Sequence, residues 1–259
     1  MKSTISRRTL LDAGASAAGL LLASCAAPAA AEPQNPQNPT NQKSQKTSSP
    51  PASRLTLAAA PAEKKLEPLP WSPASLPGLS EKLLVAHHEK NYGGAVKKLN
   101  EIRSKLANAD PEKSGGYWSE FGTLKGAEAA ARNSALLHEL YFANLGGAGA
   151  APTAPLGSAL GARFGSLEAM EKQIRGCARA TNGWVILAVD RTSATIELVQ
   201  TDGHAGGAWH AEALLVLDMF EHAYAIDYGP NKEPYLDAFF RNLKWAEVAR
   251  RLDAALARA

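Results

Sequence analysis

Leu214-Leu215-Val216-Leu217-Asp218-Met219-Phe220-Glu221-His222 is the stretch on which the rest of the chain turns. Four consecutive aliphatic residues read as a short, fully buried strand, and the strand ends on a carboxylate. Burying that carboxylate without a partner is costly. His222 follows Asp218 at i+4 and can converge with it on one point. On these residues alone two readings stand: a ligand pair, or Asp218 as a helix N-cap with Glu221 completing a capping box.

Upstream of the strand, Trp184-Val185-Ile186-Leu187-Ala188-Val189 and Thr195-Ile196-Glu197-Leu198-Val199 flank Asp190-Arg191-Thr192-Ser193, the pattern of a hairpin. With residues 214–217 this makes a three-stranded antiparallel sheet. Before it come two long amphipathic patterns. The first begins at Ser80 and carries Leu83, Leu84, His87, Val96, Leu99, Ile102 and Leu106 on or near one face, with a kink or a close backbone approach expected at Gly93-Gly94. The second spans about residues 124–145 with Ala131, Ser134, Ala135, His138, Tyr141 and Phe142 at helical offsets. Helix returns over residues 156–180 and beyond Pro234. The fold class expected is α+β: an N-terminal long helical hairpin over 66–150, then a mixed α/β layer with the three-stranded sheet over 151–259.

Of six histidines in the chain, His87, His138 and His222 lie on apolar faces or beside the strand. Three imidazoles and a carboxylate form a mixed nitrogen/oxygen set suited to iron, manganese or zinc, whereas Cu(I) or an iron–sulfur cluster calls for thiolates. The two cysteines, Cys25 and Cys177, sit in unlike contexts and imply no disulfide and no thiolate site. His88 points about 100° round the helix from His87. His210 reads as loop surface.

The remaining sequence sets the setting. A formal net charge of +3 without a concentrated Lys/Arg face argues against nucleic acid as a partner. Ser6-Arg7-Arg8-Thr9-Leu10-Leu11 ahead of an Ala/Gly/Leu-rich stretch has the layout of a bacterial twin-arginine signal over residues 1–31. It ends either at Leu22-Ala23-Ser24-Cys25, a lipoprotein box in which Cys25 is lipidated, or after Ala29-Ala30-Ala31. Residues 32–65, rich in Pro, Ala, Ser, Asn and Gln, read as a disordered linker. The expected location is the periplasm or the outer face of the cell envelope, with a lipid anchor at Cys25 as the membrane contact.

Asp218-Met219-Phe220-Glu221-His222-Ala223-Tyr224, followed by Ile226-Asp227-Tyr228, resembles the signature of the iron/manganese superoxide dismutase family, Asp-x-Trp-Glu-His-Ala-Tyr. Leu69-Pro70-Trp71, His87-His88-Glu89-Lys90 with Lys98-Leu99-Asn100, His138 with Tyr141 and Phe142, Asn182-Gly183-Trp184 and Asn242-Leu243-Lys244-Trp245 match further family motifs in order and spacing. The resemblance covers about residues 66–255. It implies one Fe or Mn ion per subunit on His87, His138, Asp218 and His222, with superoxide as substrate and disproportionation to dioxygen and hydrogen peroxide. It further implies Trp184 in the cavity wall and a homodimer bridged by Glu221 and His222.

The chain departs from the family around those ligands. Asn91 stands in place of a histidine, Ala95 of the gateway tyrosine, Ala225 of the tyrosine that pairs with that histidine across the interface, and Phe220 of a tryptophan. Neither Ser134 nor Thr201-Asp202-Gly203-His204 supplies the family's glutamine. Some members carry a histidine at the loop position, which makes His204 the candidate substitute, with Tyr92 and Asn91 as others. Three activities follow as expectations: a dismutase with an altered proton path, a metal-binding homologue with weak or different redox activity, or a zinc-type hydrolase, for which no His-Glu-x-x-His motif is present.

Overall fold

The structure, a computed structural model, describes residues 58, 60–116, 118–207 and 209–257; the stretch expected to be a signal (1–31), with Cys25, and most of the expected linker (32–65) lie outside them. Ser80 opens the first helix by accepting from the Leu83 N–H, and the path runs through α1 (Glu81–Ala86), a π-helical turn (His87–Tyr92) and α2 (Gly93–Leu106). The expected kink at Gly93-Gly94 is instead this wider turn just before it. The Gly93 N–H reaches back to the His88 carbonyl, an i→i+5 bond, which accommodates an extra residue without breaking the helix. Ser119 caps α3 (Glu120–Ala143) through the Gly122 N–H. The two helical arms meet at their far end through Leu99, Ile102 and Ala131.

The apolar stretch read as one helix over 156–180 is two, α4 (Leu156–Phe164) and α5 (Leu167–Ala180), because Gly165 turns the chain at φ 87° and Ser166 caps the second. Strands β1 (Trp184–Asp190), β2 (Thr195–Thr201) and β3 (Ala211–Asp218) form an antiparallel sheet in the order β2-β1-β3. The register sets Trp184 opposite Asp218 on one side and Thr201 on the other. Gly183 makes this possible, since a Cβ there would collide with the Thr201 carbonyl. After a 3-10 turn (Glu221–Ala223) come α6 (Ala225–Tyr228), α7 (Lys232–Arg241) and α8 (Trp245–Leu256), the last two separated at Asn242.

One core joins the helical arms to the sheet: Leu83, Leu84, Tyr141, Trp184, Leu215 and Phe239 all belong to it and are essentially inaccessible. At about 1.5–3 kcal/mol per large apolar side chain buried, this shared core, more than helix propensity, fixes the arms against the sheet. Arg251 stitches the same junction with bonds to Asn144 Oδ1 (2.7 Å) and the Leu214 and Leu140 carbonyls (2.9 and 3.1 Å). Among the described residues no helix is long and apolar enough to cross a membrane.

Candidate metal centre

Four elements deliver one group each to the junction. The π turn begins with His87, the inward stripe of α3 carries His138, β3 ends on Asp218, and the following 3-10 turn holds His222. His87, His138 and Asp218 are buried, and the His222 side chain is 24% exposed. Asp218 Oδ2 lies 3.1 Å from His87 Nε2, 3.2 Å from His222 Nε2 and 3.6 Å from His138 Nε2. One ligand atom from each residue falls within 4.8 Å of every other. The other oxygen, Oδ1, accepts the Phe220 N–H at 2.9 Å. The carboxylate therefore turns the chain with one oxygen and faces the imidazoles with the other; the N-cap position of the following turn belongs to Phe220 and carries no side-chain cap, so the capping-box reading of Asp218 and Glu221 does not hold.

The protonation states follow from the surroundings. Burial pushes the His87 imidazole below its ordinary pKa and that of His138 down to about 3, so both are neutral near pH 7. Burial alone would raise Asp218, but hydrogen bonds from His222 and His87 outweigh it and hold the carboxyl below the usual range. His138 Nδ1 sits 2.7 Å from the Ser134 carbonyl and must carry the ring proton to donate to it. Its Nε2 is then a bare lone pair, aimed at a carboxylate oxygen 3.6 Å away, and Nε2 has no hydrogen-bond partner among the described residues. Two acceptors face each other. A cation reconciles them, and the donor set fits a hard-to-borderline transition ion.

Aromatic side chains enclose the cluster. Trp184 meets the His138 ring edge-on at 5.1 Å, Tyr141 and Phe142 lie 5.0 Å from the His87 ring, and Phe220 stacks on His222 at 5.5 Å. Two partners escaped the sequence reading. Tyr235 donates to the Asp218 carbonyl (2.7 Å) and touches the Tyr141 hydroxyl (3.2 Å), and Asn133 Nδ2 holds the His204 carbonyl (2.8 Å). A hydroxyl on the otherwise apolar face of α7 was the available signal for Tyr235, because a buried tyrosine O–H seeks an acceptor.

Of the candidates proposed for the surrounding ring, His204 and Tyr92 both reach the cluster. His204 Nδ1 accepts the Trp184 Nε1–H at 3.0 Å, and the His204 ring stacks on Phe220 at 4.6 Å and lies 6.4 Å from His138. Tyr92 is buried with its ring stacked 6.1 Å from His138, but its hydroxyl is directed to Glu139 (2.7 Å) and the Glu67 N–H (3.0 Å). Asn91, Ala95 and Ala225 are half-buried and Glu221 is exposed. His88 turns to the Glu67 carbonyl at 2.8 Å, and His210 is exposed in its loop.

A helical hairpin set against a small antiparallel sheet, with three imidazoles and one carboxylate buried at their junction, defines a mononuclear metalloprotein. The model of the iron/manganese superoxide dismutase C-terminal domain matches residues 152–251. Similar proteins include superoxide dismutase [Fe] of Cupriavidus metallidurans, 38% identical over 195 residues that cover 74% of this chain and 98% of that protein. Superoxide dismutase [Fe] of Aquifex pyrophilus is 37% identical, covering 74% and 93% respectively. Superoxide dismutase [Mn] 1 of Halobacterium salinarum is 34% identical, covering 76% and 98%. The chain belongs to the iron/manganese superoxide dismutase family.

Proposed function

We propose that the chain is a superoxide dismutase, an oxidoreductase that converts two superoxide anions and two protons to dioxygen and hydrogen peroxide, with one iron or manganese ion held by His87, His138, Asp218 and His222. The opposed lone pairs of His138 Nε2 and Asp218 Oδ2 carry the reading, because neutral imidazoles around an ionised carboxylate need a cation. The bound ion supplies one-electron change in both directions.

The chain's own residues do the rest. Trp184, Tyr141, Phe142 and Phe220 keep bulk water from the ligands, which strengthens every charge interaction inside. With its Nδ1 occupied by the Trp184 N–H, His204 carries its proton on Nε2. We assign it the donor role that the family gives to a glutamine, in handling the protons that peroxide formation consumes. Asp218 offsets the ion's charge and is itself oriented by Phe220 N–H and Tyr235 O–H.

The exposed Glu221 and the partly exposed His222 support a homodimer in which a second copy covers this edge. The paired arginines and Cys25 support export by the twin-arginine route to the envelope, with lipid anchoring. Purified full-length protein, loaded separately with iron and manganese and assayed for superoxide removal, tests the reading. Turnover with either ion, lost in His138→Ala, is the expected result; a fully loaded, inactive protein overturns it, and one equivalent of zinc with no turnover favours hydrolysis.

A further inference from the structure

Residues 62–67, just ahead of the helical hairpin, run beside α2 and the π turn as a strap held by side chains. Asn100 takes both backbone groups of Lys64, accepting its N–H (2.9 Å) and donating to its carbonyl (2.8 Å). Glu67 is held likewise: its N–H donates to the Tyr92 hydroxyl and its carbonyl faces His88 Nε2. Arg103 Nη1 donates to the Ala62 carbonyl at 3.2 Å. Ordered contacts thus begin upstream of the Leu66 boundary set by composition. All these bonds go to main chain, so the strap is gripped by its path.

Beneath the strap lies a cavity of about 250 Å³ bordered by Glu67, Pro68, Pro70, His88, Tyr92 and Glu139. The strap is held beside this cavity by the polar grips described above. Two further contacts bring it to the metal centre. Lys64 Nζ pairs with Glu139 Oε1 at 2.7 Å, and the same oxygen accepts the Tyr92 O–H at 2.7 Å. Glu139 follows His138 directly, and the Tyr92 ring lies over the His138 ring at an interplanar angle of 20°. In a regular α-helix Tyr92 would sit roughly 140° round from His87. The i→i+5 ladder of the π turn swings it back toward the His87 side.

We propose that Lys64, Glu139 and Tyr92 form a clamp through which the strap fixes the His138 ring, so that Tyr92 and Glu139 are positioning residues and residues 62–67 are a working part of the metal centre. The inference rests on the reading of the cluster as an iron or manganese site. It predicts that loosening the strap loosens the ion.

The test uses the full chain loaded with manganese or iron, with ion release to excess chelator followed in time and the electron paramagnetic resonance spectrum recorded. Trypsin cutting after Lys65, a site that every variant keeps, reports whether the strap is held. Lys64→Ala, Glu139→Gln and Tyr92→Phe are compared with Lys64→Arg, which keeps the ion pair, and with Lys98→Ala, whose exposed pair with Glu101 lies elsewhere on α2. The first three are expected to release the ion about three- to tenfold faster, with an altered spectrum and faster cutting; the last two keep wild-type behaviour. Unchanged release and spectrum with a loosened strap overturn the proposal, as does a strap that stays protected in all three. Wild-type protein that binds neither ion overturns the site reading and the clamp together, whereas a tightly held ion without dismutation overturns the enzymatic reading alone.

Discussion

The four proposed ligands and the ring of residues around them obey different constraints. Inside, Asp218 Oδ2 and three imidazole nitrogens must meet within a few ångströms at a dry point, and each is fixed by an element that serves the core as well. Outside, the chain has a half-buried asparagine at 91 and alanines at 95 and 225, while His204 reaches the cluster from a loop on the Trp184 side. A donor beside the cluster can come from more than one direction, but an ion cannot be held from fewer than its ligands. The inner set is therefore rigidly specified, whereas hydrogen bonding around it moves between elements.

The sharpest way to break the contrast is to remove an inner group. Asp218→Asn and His138→Ala are each expected to abolish binding of iron and manganese, read by metal analysis after desalting; retained ion in either would remove the basis for the inner set. His204→Ala is expected to keep the ion and lose about 10- to 100-fold in turnover, with partial recovery in His204→Gln. Unchanged turnover would show that the Trp184 side does not supply the donor.

Metal-free protein offers a third test. His87 and His138 have folded-state pKa values below the ordinary 6.5, that of His138 at about 3, so between these values the unfolded chain binds more protons. The contribution of His138 is full above pH 6.5 and is lost as pH falls toward 3, at about 1.4 kcal/mol per pH unit; that of His87 is lost in the same direction as pH falls below 6.5. Denaturant midpoints of the metal-free protein at pH 7 and pH 5 check this, and a flat profile contradicts the neutral, buried imidazoles. The smallest effect is expected at Asn91: Asn91→Ala should leave metal content intact and change turnover by about twofold or less, a shift of the order of a surface substitution.

Much of the inner set was legible because its signals are periodic or local. His87 and His138 each fall on an apolar helical stripe, and Asp218 ends a buried strand four residues before His222. The α+β class and the hairpin around Asp190-Arg191-Thr192-Ser193 follow from the same patterns. The π turn at His87–Tyr92 was not legible, since i→i+5 bonding leaves no compositional mark, and Gly93-Gly94 drew attention to the neighbouring residues. Nor was the grip of Tyr235 on Asp218 or of Asn133 on the His204 loop. These join residues distant in sequence through single hydrogen bonds, which only the packed core brings together. For Asp218, local pattern allowed cap or ligand, and the division of labour between Oδ1 and Oδ2 became visible only in three dimensions.

Metal content measured together with superoxide turnover, on the same full-length preparation loaded with iron and with manganese, addresses the central claim most directly. One ion per chain with rapid removal of superoxide in at least one of the two forms is the predicted result. Full occupancy by both ions in turn, with superoxide decaying no faster than it does without protein, would contradict it.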